Sequence, residues 1–200
     1  MGCRTETEDN CEYGELEDPR DGRTYRTVKI GDVWWMAENL NFDTILGRCY
    51  HDSAEYCEKY GRLYVHSERI CPEGWFLPSL RDWYALFEAA GGRTKEDGFS
   101  VVTTALRSSS DWRCDDTDCT TGTDAFGFSA LPAGYYDDIK NDKFLNEGYM
   151  TKFWTSTGEY DNYKVGVTLY DLTQSDYPNY YDIIWEIYYC DMLSIRCIHY

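Results

Sequence analysis

The residue pattern predicts an α+β domain: antiparallel strands towards both ends of the chain, one well-marked helix between them, and a long loop region ahead of the last strands. Three observations carry this. Residues 24–36 read as a hairpin, residues 79–90 as a capped amphipathic helix, and residues 149–199 as successive strand-like segments that follow a stretch (108–148) poor in regular pattern.

Residues 1–20 are acidic and irregular, a leader ahead of a single domain over 21–200. In the hairpin, Tyr25, Thr27, Val28 and Ile30 are strand formers, Gly31-Asp32 is a tight-turn pair, and Val33, Trp34, Trp35 and Met36 form the return strand. Residues 53–60 suit a short helix with Tyr56, Cys57 and Tyr60 on one side, and residues 62–65 a strand. The clearest helix begins at Ser79, an N-cap with Asp82 three residues on, as in a capping box. Leu80, Trp83, Leu86, Phe87 and Ala90 recur at helical spacing, so this face should pack on the sheet. Gly91-Gly92 ends the helix, because glycine adopts the left-handed conformation that commonly follows one. Residues 101–107 suggest a second, shorter helix.

From 108 to 148, Ser, Asp, Thr and Gly dominate, broken by Leu131-Pro132. A loop region this long inside a compact domain is usually functional or pinned by disulfides. Strands are expected at 149–155, 163–170, 181–189 and 193–199. Val165, Val167 and Leu169 alternate with Lys164, Gly166, Thr168 and Tyr170, the period of a half-buried strand. No internal repeat is present.

Two hundred residues fit one domain, and aromatic content of 17% with 19 Tyr marks a globular chain. The net charge of −17 repels phosphate backbones and anionic lipid, which argues against nucleic acid and against docking on a membrane surface. No apolar run reaches the roughly 18 residues a membrane span requires. Nine Cys in 200 residues suit an oxidising compartment. The first 20 residues lack the apolar core of a signal peptide, as expected if the numbering begins near the mature end of an exported protein.

Spacing suggests cysteine partners. Cys3 and Cys11 bracket seven residues, Cys49 and Cys57 also seven, and Cys114 and Cys119 four. These pairs leave Cys71, Cys190 and Cys197, and an odd count leaves one cysteine over. Zinc is the rival use of cysteine, but there is no Cys-x2-Cys pair, and His51, His66 and His199 are not spaced as ligands.

Six blocks in order carry a resemblance. They are Asp21 to Leu40; Tyr60-Gly61-Arg62-Leu63-Tyr64; Cys71-Pro72-Glu73-Gly74-Trp75-Phe76-Leu77-Pro78-Ser79; Gly127-Phe128-Ser129-Ala130-Leu131-Pro132-Ala133-Gly134-Tyr135; Phe153-Trp154-Thr155-Ser156-Thr157; and Ser194-Ile195-Arg196-Cys197-Ile198. Together they resemble the Fibrobacter succinogenes major paralogous domain, a secreted or surface module of bacteria. The order Cys-Pro-x-Gly-Trp, Phe-Trp-x-Ser-Thr, Ile-Arg-Cys is also similar to the C-type-lectin-like fold. That analogy would bring Cys71 and Cys197 together, and Cys71 would then be no free nucleophile for the nearby His66. Cys190 would be left over; alternatively Cys190 takes Cys11, and Cys3 becomes a lipid-bearing N-terminal cysteine that anchors the chain. The resemblance implies that Trp35, Trp75 and Trp154 are core residues. It also implies that Trp34 faces the other way, at a position the family usually fills with an aliphatic residue. Asp82 stands where the family commonly has Glu, a harmless change for capping. The lectin-like scaffold is similar to that of formylglycine-generating oxidases, but their active-site motif is absent.

Candidate chemistry follows from residue type. Asp115, Asp116, Asp118 and Asp124 offer hard oxygens for calcium, although the run departs from an EF-hand loop at Thr120 and Gly122. Sugar binding uses flat aromatic faces with polar groups gripping hydroxyls. Trp34, Trp112, Tyr135, Tyr136, Tyr160, Tyr177 and Tyr180 are the candidates, with Trp112 and Tyr136 expected at the surface of the loop region. Glycoside hydrolysis needs two acids about 5–10 Å apart in unlike environments. Among 36 acids some pair always meets that distance, and none is marked by a motif. The expected function is non-catalytic binding of glycan or protein at the cell exterior through residues 108–147 and neighbouring Tyr. Self-association into a surface assembly or filament is the alternative, and a hydrolase comes third.

Overall fold

The computed structural model describes residues 2–5, 7–91, 104–113, 121–139, 142–160, 163–170, 183–188 and 190–200. Among them a four-stranded antiparallel sheet runs in the order β1(Tyr13–Glu17), β2(Thr24–Ile30), β3(Val33–Met36), β11(Ile198–His199), so the C-terminal strand closes onto the N-terminal hairpin. A three-stranded antiparallel sheet is built from β10(Ile183–Tyr188), β9(Tyr163–Tyr170) and β8(Met150–Tyr160). Two small pairs complete the strands: β4(Gly47–Arg48) with β5(Leu63–Tyr64), and β6(Tyr135–Asp137) with β7(Lys143–Leu145). Helices α1(Ala54–Tyr60) and α2(Leu80–Ala89) and a 3-10 turn at Tyr50–Asp52 are described in full. Small antiparallel sheets with few helices and three disulfides make this an α+β protein.

The hairpin turns at Gly31-Asp32, and Gly31 takes φ 63°, a conformation that favours glycine. Helix α2 has the expected capping box: the Ser79 backbone N–H donates to Asp82 Oδ2 at 2.7 Å, and the Asp82 N–H donates to Ser79 Oγ at 3.3 Å. A third tie comes from the sheet, where Thr157 Oγ1 accepts the Leu80 N–H at 2.9 Å. The buried face of α2 is Leu80, Trp83, Leu86 and Phe87. Trp83 meets Trp35 with ring centres 5.0 Å apart and Phe153 at 5.2 Å, which joins the helix to both sheets. A second cluster, around Met36, Leu40, Tyr64, Trp154 and Leu193, fills the space on the other side of the first sheet.

Several expectations are corrected. Residues 13–17, read as part of an irregular leader, form β1 and pair with β2 from Tyr13↔Val28 to Glu17↔Thr24. The 108–148 stretch contains the β6–β7 hairpin, whose strands of three residues are too short for a period to show. In the 193–199 segment only Ile198–His199 is a strand; Leu193 and Ser194 make single bridges, and residues 195–197 are irregular. Of the helix expected at 101–107, residues 104–106 are helical, and 101–103 lie outside the described residues.

Disulfides join Cys3 to Cys11, Cys49 to Cys57 and Cys71 to Cys197. Cys190 is free, so the alternative in which it takes Cys11 and releases Cys3 does not occur here. Cys114 and Cys119 lie outside the described residues.

Candidate functional site

A polar cleft of about 580 Å³ opens between the end of α1 and two loops, residues 108–110 and 124–131. Its inner wall is the end of β2 (Thr24, Tyr25, Arg26) and the segment 37–41 that follows β3. Gly61 sets how closely these walls approach. It takes φ 74°, and a Cβ there would lie 2.8 Å from Asn39 Cβ and from the Leu40 oxygen, so a side chain would push α1 off the 39–40 backbone.

Two asparagines hold that wall. Asn39 Nδ2 donates to the Tyr60 oxygen at 2.8 Å, and Asn41 Nδ2 donates to the Cys57 oxygen at 3.0 Å, which satisfies carbonyls in the last turn of the helix. The Asn41 N–H donates to Tyr25 Oη at 3.1 Å. Asn41 Oδ1, a buried acceptor on a cleft-lining residue, receives no hydrogen bond.

Arg196 lies beneath the cleft, fully buried. Its guanidinium donates to Asn39 Oδ1 at 2.7 Å, to the Met36 oxygen at 3.0 Å, to the Ser129 oxygen at 2.9 Å, and to the Phe128 oxygen. Among the described residues no carboxylate touches it. Burial pulls its pKa down to about 9, against a smaller opposing pull from Asp124 and Glu38, and it stays charged at neutral pH. One cation thus ties the 36–39 segment to the 128–129 loop.

The outer wall is fixed by Asp124. Its carboxylate accepts from the Ser129 N–H at 2.7 Å, from Ser129 Oγ at 2.6 Å and from Arg4 Nη1 at 2.6 Å. These three donors occupy the group that the sequence offered to calcium, so Asp124 serves as a loop clamp. Asp115, Asp116 and Asp118 lie outside the described residues. Among the described residues no three His, Cys, Asp or Glu side chains converge as metal ligands. Nearby, Lys59 Nζ lies 3.0 Å from Asp111 Oδ1, and Tyr60 Oη donates to Glu147 Oε1 at 2.6 Å. Desolvation, helped by Glu147, pushes the Tyr60 pKa up to about 12.

Of the aromatic candidates whose side chains are described, none lines this cleft. Trp112, expected exposed, is buried; its indole N–H is placed 3.1 Å from both Ser108 Oγ and the Ala130 oxygen, and the Arg107 guanidinium lies 4.8 Å from its ring. Tyr136, also expected exposed, is buried between Arg48 and Phe144, and its hydroxyl donates to Asp142. Tyr135 is half-buried under Lys152 Nζ, 3.4 Å from its ring centre. Trp34 is half-buried while Trp35 is buried in the core, so the two do part ways; Trp34 sits opposite His199 in the sheet register. Tyr160 pairs with Tyr163 along the backbone, but its side chain, like Tyr177 and Tyr180, lies outside the described residues.

The sequence reading missed Asn39, Asn41, Arg26 and the structural role of Arg196. One signal pointed to Arg196: it is the single charged residue in the run from Leu193 to Ile198, between Ile195 and Cys197.

The arrangement presents hydroxyls (Ser109, Ser110), amides, carboxylates and guanidinium groups to one cavity, a set that exchanges hydrogen bonds with a hydroxyl-rich ligand. Cys71, considered as a nucleophile with His66, is bonded to Cys197, and His66 Nε2 instead lies 3.0 Å from the Thr155 oxygen.

A disulfide-tied α+β frame with a polar surface cleft defines the class. Its family is shown by a family model, the Fibrobacter succinogenes major domain, which matches residues 28–199. The chain belongs to this family. No curated protein and no solved structure matches it.

Proposed function

We propose that this domain acts outside the cytoplasm as a non-catalytic recognition module that holds a glycan or a surface-protein segment in the polar cleft. The observation that carries the reading is the cleft itself. It is rigidly framed by Gly61, Asn39, Asp124 and Arg196, lies against the loop region expected to make contact, and is lined mostly by polar groups. Three disulfides support an oxidising compartment. The Cys71–Cys197 bond, which the lectin-like analogy called for, supports a C-type-lectin-like topology.

The test is a glycan array and protein pull-downs with folded native protein, repeated with Ser109→Trp. Ser109 is exposed and lines the cleft, so tryptophan fills the cavity without entering the core. Binding that is present in the native protein and lost in the variant, at an unchanged melting temperature, is the expected result. Empty arrays and pull-downs from folded protein would remove the reading.

Assembly into a surface polymer is a second reading. It is favoured by β1, which among the described residues is hydrogen-bonded to a neighbouring strand on one side only. Light scattering that reports a monomer at every concentration would count against it.

A further inference from the structure

The cations around the cleft differ in one respect. Arg4 is held by Asp124 at 2.6 Å and Asp9 at 3.5 Å, Arg23 by Asp21 and Glu58 at 3.5 Å each, and Lys59 by Asp111 at 3.0 Å. Arg26 has no such partner among the described residues. Its backbone N–H donates to Glu38 Oε2 at 2.6 Å, but its guanidinium meets only the Tyr13 ring, 5.9 Å away. In a chain with 36 acids and 19 basic residues, acids outnumber cations nearly two to one, so an exposed Arg without a carboxylate is not explained by a shortage of partners.

Arg26 also occupies a particular place. A second depression of about 390 Å³, lined by Asp9, Tyr13, Gly14 and Glu15, adjoins the first, and Arg4 and Arg26 line both. They form a saddle between two cavities. Tyr13, 37% exposed, offers a flat face in the second, and its hydroxyl is fixed by hydrogen bonds to the Asp9 carboxylate at 3.0 and 3.2 Å. The first cavity offers serine hydroxyls and the Glu38 carboxylate, with the buried Asn41 behind them.

Resting on the cleft's proposed role in binding, we propose that the ligand is an oligosaccharide of carboxylate-bearing sugars lying across this saddle, with one carboxylate on the Arg26 guanidinium. A planar guanidinium pairs with a carboxylate in a two-bond fork, which a neutral hydroxyl cannot reproduce. Neighbouring sugar units then occupy the two cavities, one among the serines and Asn41, the other with its C–H face against Tyr13. Glu38 stands at the same place and repels the carboxylate, which limits affinity and favours the unit whose charge lies nearest Arg26.

Calorimetry on the folded protein tests this, with oligogalacturonides of increasing length as probes and neutral cello-oligosaccharides of equal length as controls. The acidic series should bind better than the neutral one and gain affinity with length. Arg26→Ala should reduce acidic binding by about tenfold or more, and neutral binding by clearly less, because the fork to a carboxylate is lost only in the acidic series. Arg26→Lys should recover only part of the loss, and Glu38→Gln should tighten the acidic ligand alone. Tyr13→Ala should remove the gain with length. Neutral oligosaccharides that bind as well as acidic ones, with Arg26→Ala silent, would overturn the inference and leave the cleft reading standing. Failure of both series would overturn this inference, and with empty pull-downs the cleft reading too.

Discussion

Arg196 is the residue on which the site's geometry turns. A buried guanidinium facing four oxygens and no carboxylate is tolerable only because nearly every donor finds an acceptor. Arg196→Ala would leave several buried acceptors without donors at about 1–3 kcal/mol each, so a loss of roughly 3 kcal/mol or more is expected in urea unfolding. Arg196→Lys should restore little, because one ammonium cannot span the same four positions. His66 provides a pH dependence. Burial pulls its pKa below the ordinary 6.5, offset in part by its contact with the Thr155 oxygen. A histidine kept neutral by the fold leaves stability intact above its unfolded pKa, and stability is lost as pH falls through the lower folded value. The unfolding midpoint should therefore decline from about pH 6.5 downward, and His66→Gln should flatten that decline. Asp18, Asp52 and Asp111 have pKa values below the ordinary 3.8, so they act in a separate, more acidic window.

At the scale of elements, α2 shows how much a local signal can decide. Ser79 and Asp82 satisfy each other's backbone donors whatever lies beyond the helix, so the capping box is readable from four residues. Ser79→Ala should cost about 1 kcal/mol in chemical denaturation, with the helix kept in place by its buried Trp83 and Phe87. The hairpin of β2 and β3 is equally local, because Gly31 sets the turn and alternation sets the faces. By contrast β1 was illegible. Beyond Tyr13 its residues Gly-Glu-Leu-Glu are weak strand formers, and it is a strand because β2 offers it an open edge. Burial of Trp112 and Tyr136 was illegible for a related reason. Loop composition predicts exposure, whereas the Ala130 oxygen, Arg48 and Phe144 that cover them come from other parts of the fold.

For the molecule as a whole, the Cys71–Cys197 bond, 126 residues apart in sequence, ties the segment before α2 to the last strand. Loop entropy values such a bridge at about 4–5 kcal/mol, against roughly 2.5 kcal/mol for a short loop like that closed by Cys49–Cys57. The Cys71→Ala/Cys197→Ala protein should therefore lose more stability than Cys49→Ala/Cys57→Ala, and guanidinium unfolding of the two would show it. The two ends of the chain meet in one sheet, β11 beside β3, so loosening that bridge should also loosen Arg196, one residue from Cys197.

The sequence by itself determined the mixed class, the main helix with its cap, the central hairpin, and the family, through blocks such as Cys71 to Ser79 and Ser194 to Ile198. Each of these is a relation among neighbouring residues, which propensity and period express directly. Only the tertiary structure decided the cleft. Its walls come from residues 4, 23–26, 37–41, 57–61, 108–110 and 124–131, above Arg196, and no periodicity links positions so far apart. Their meeting is fixed by hydrophobic burial of the two sheets against α2 and by one buried cation. Those non-local forces act on the folded chain and leave no mark on any short stretch of it.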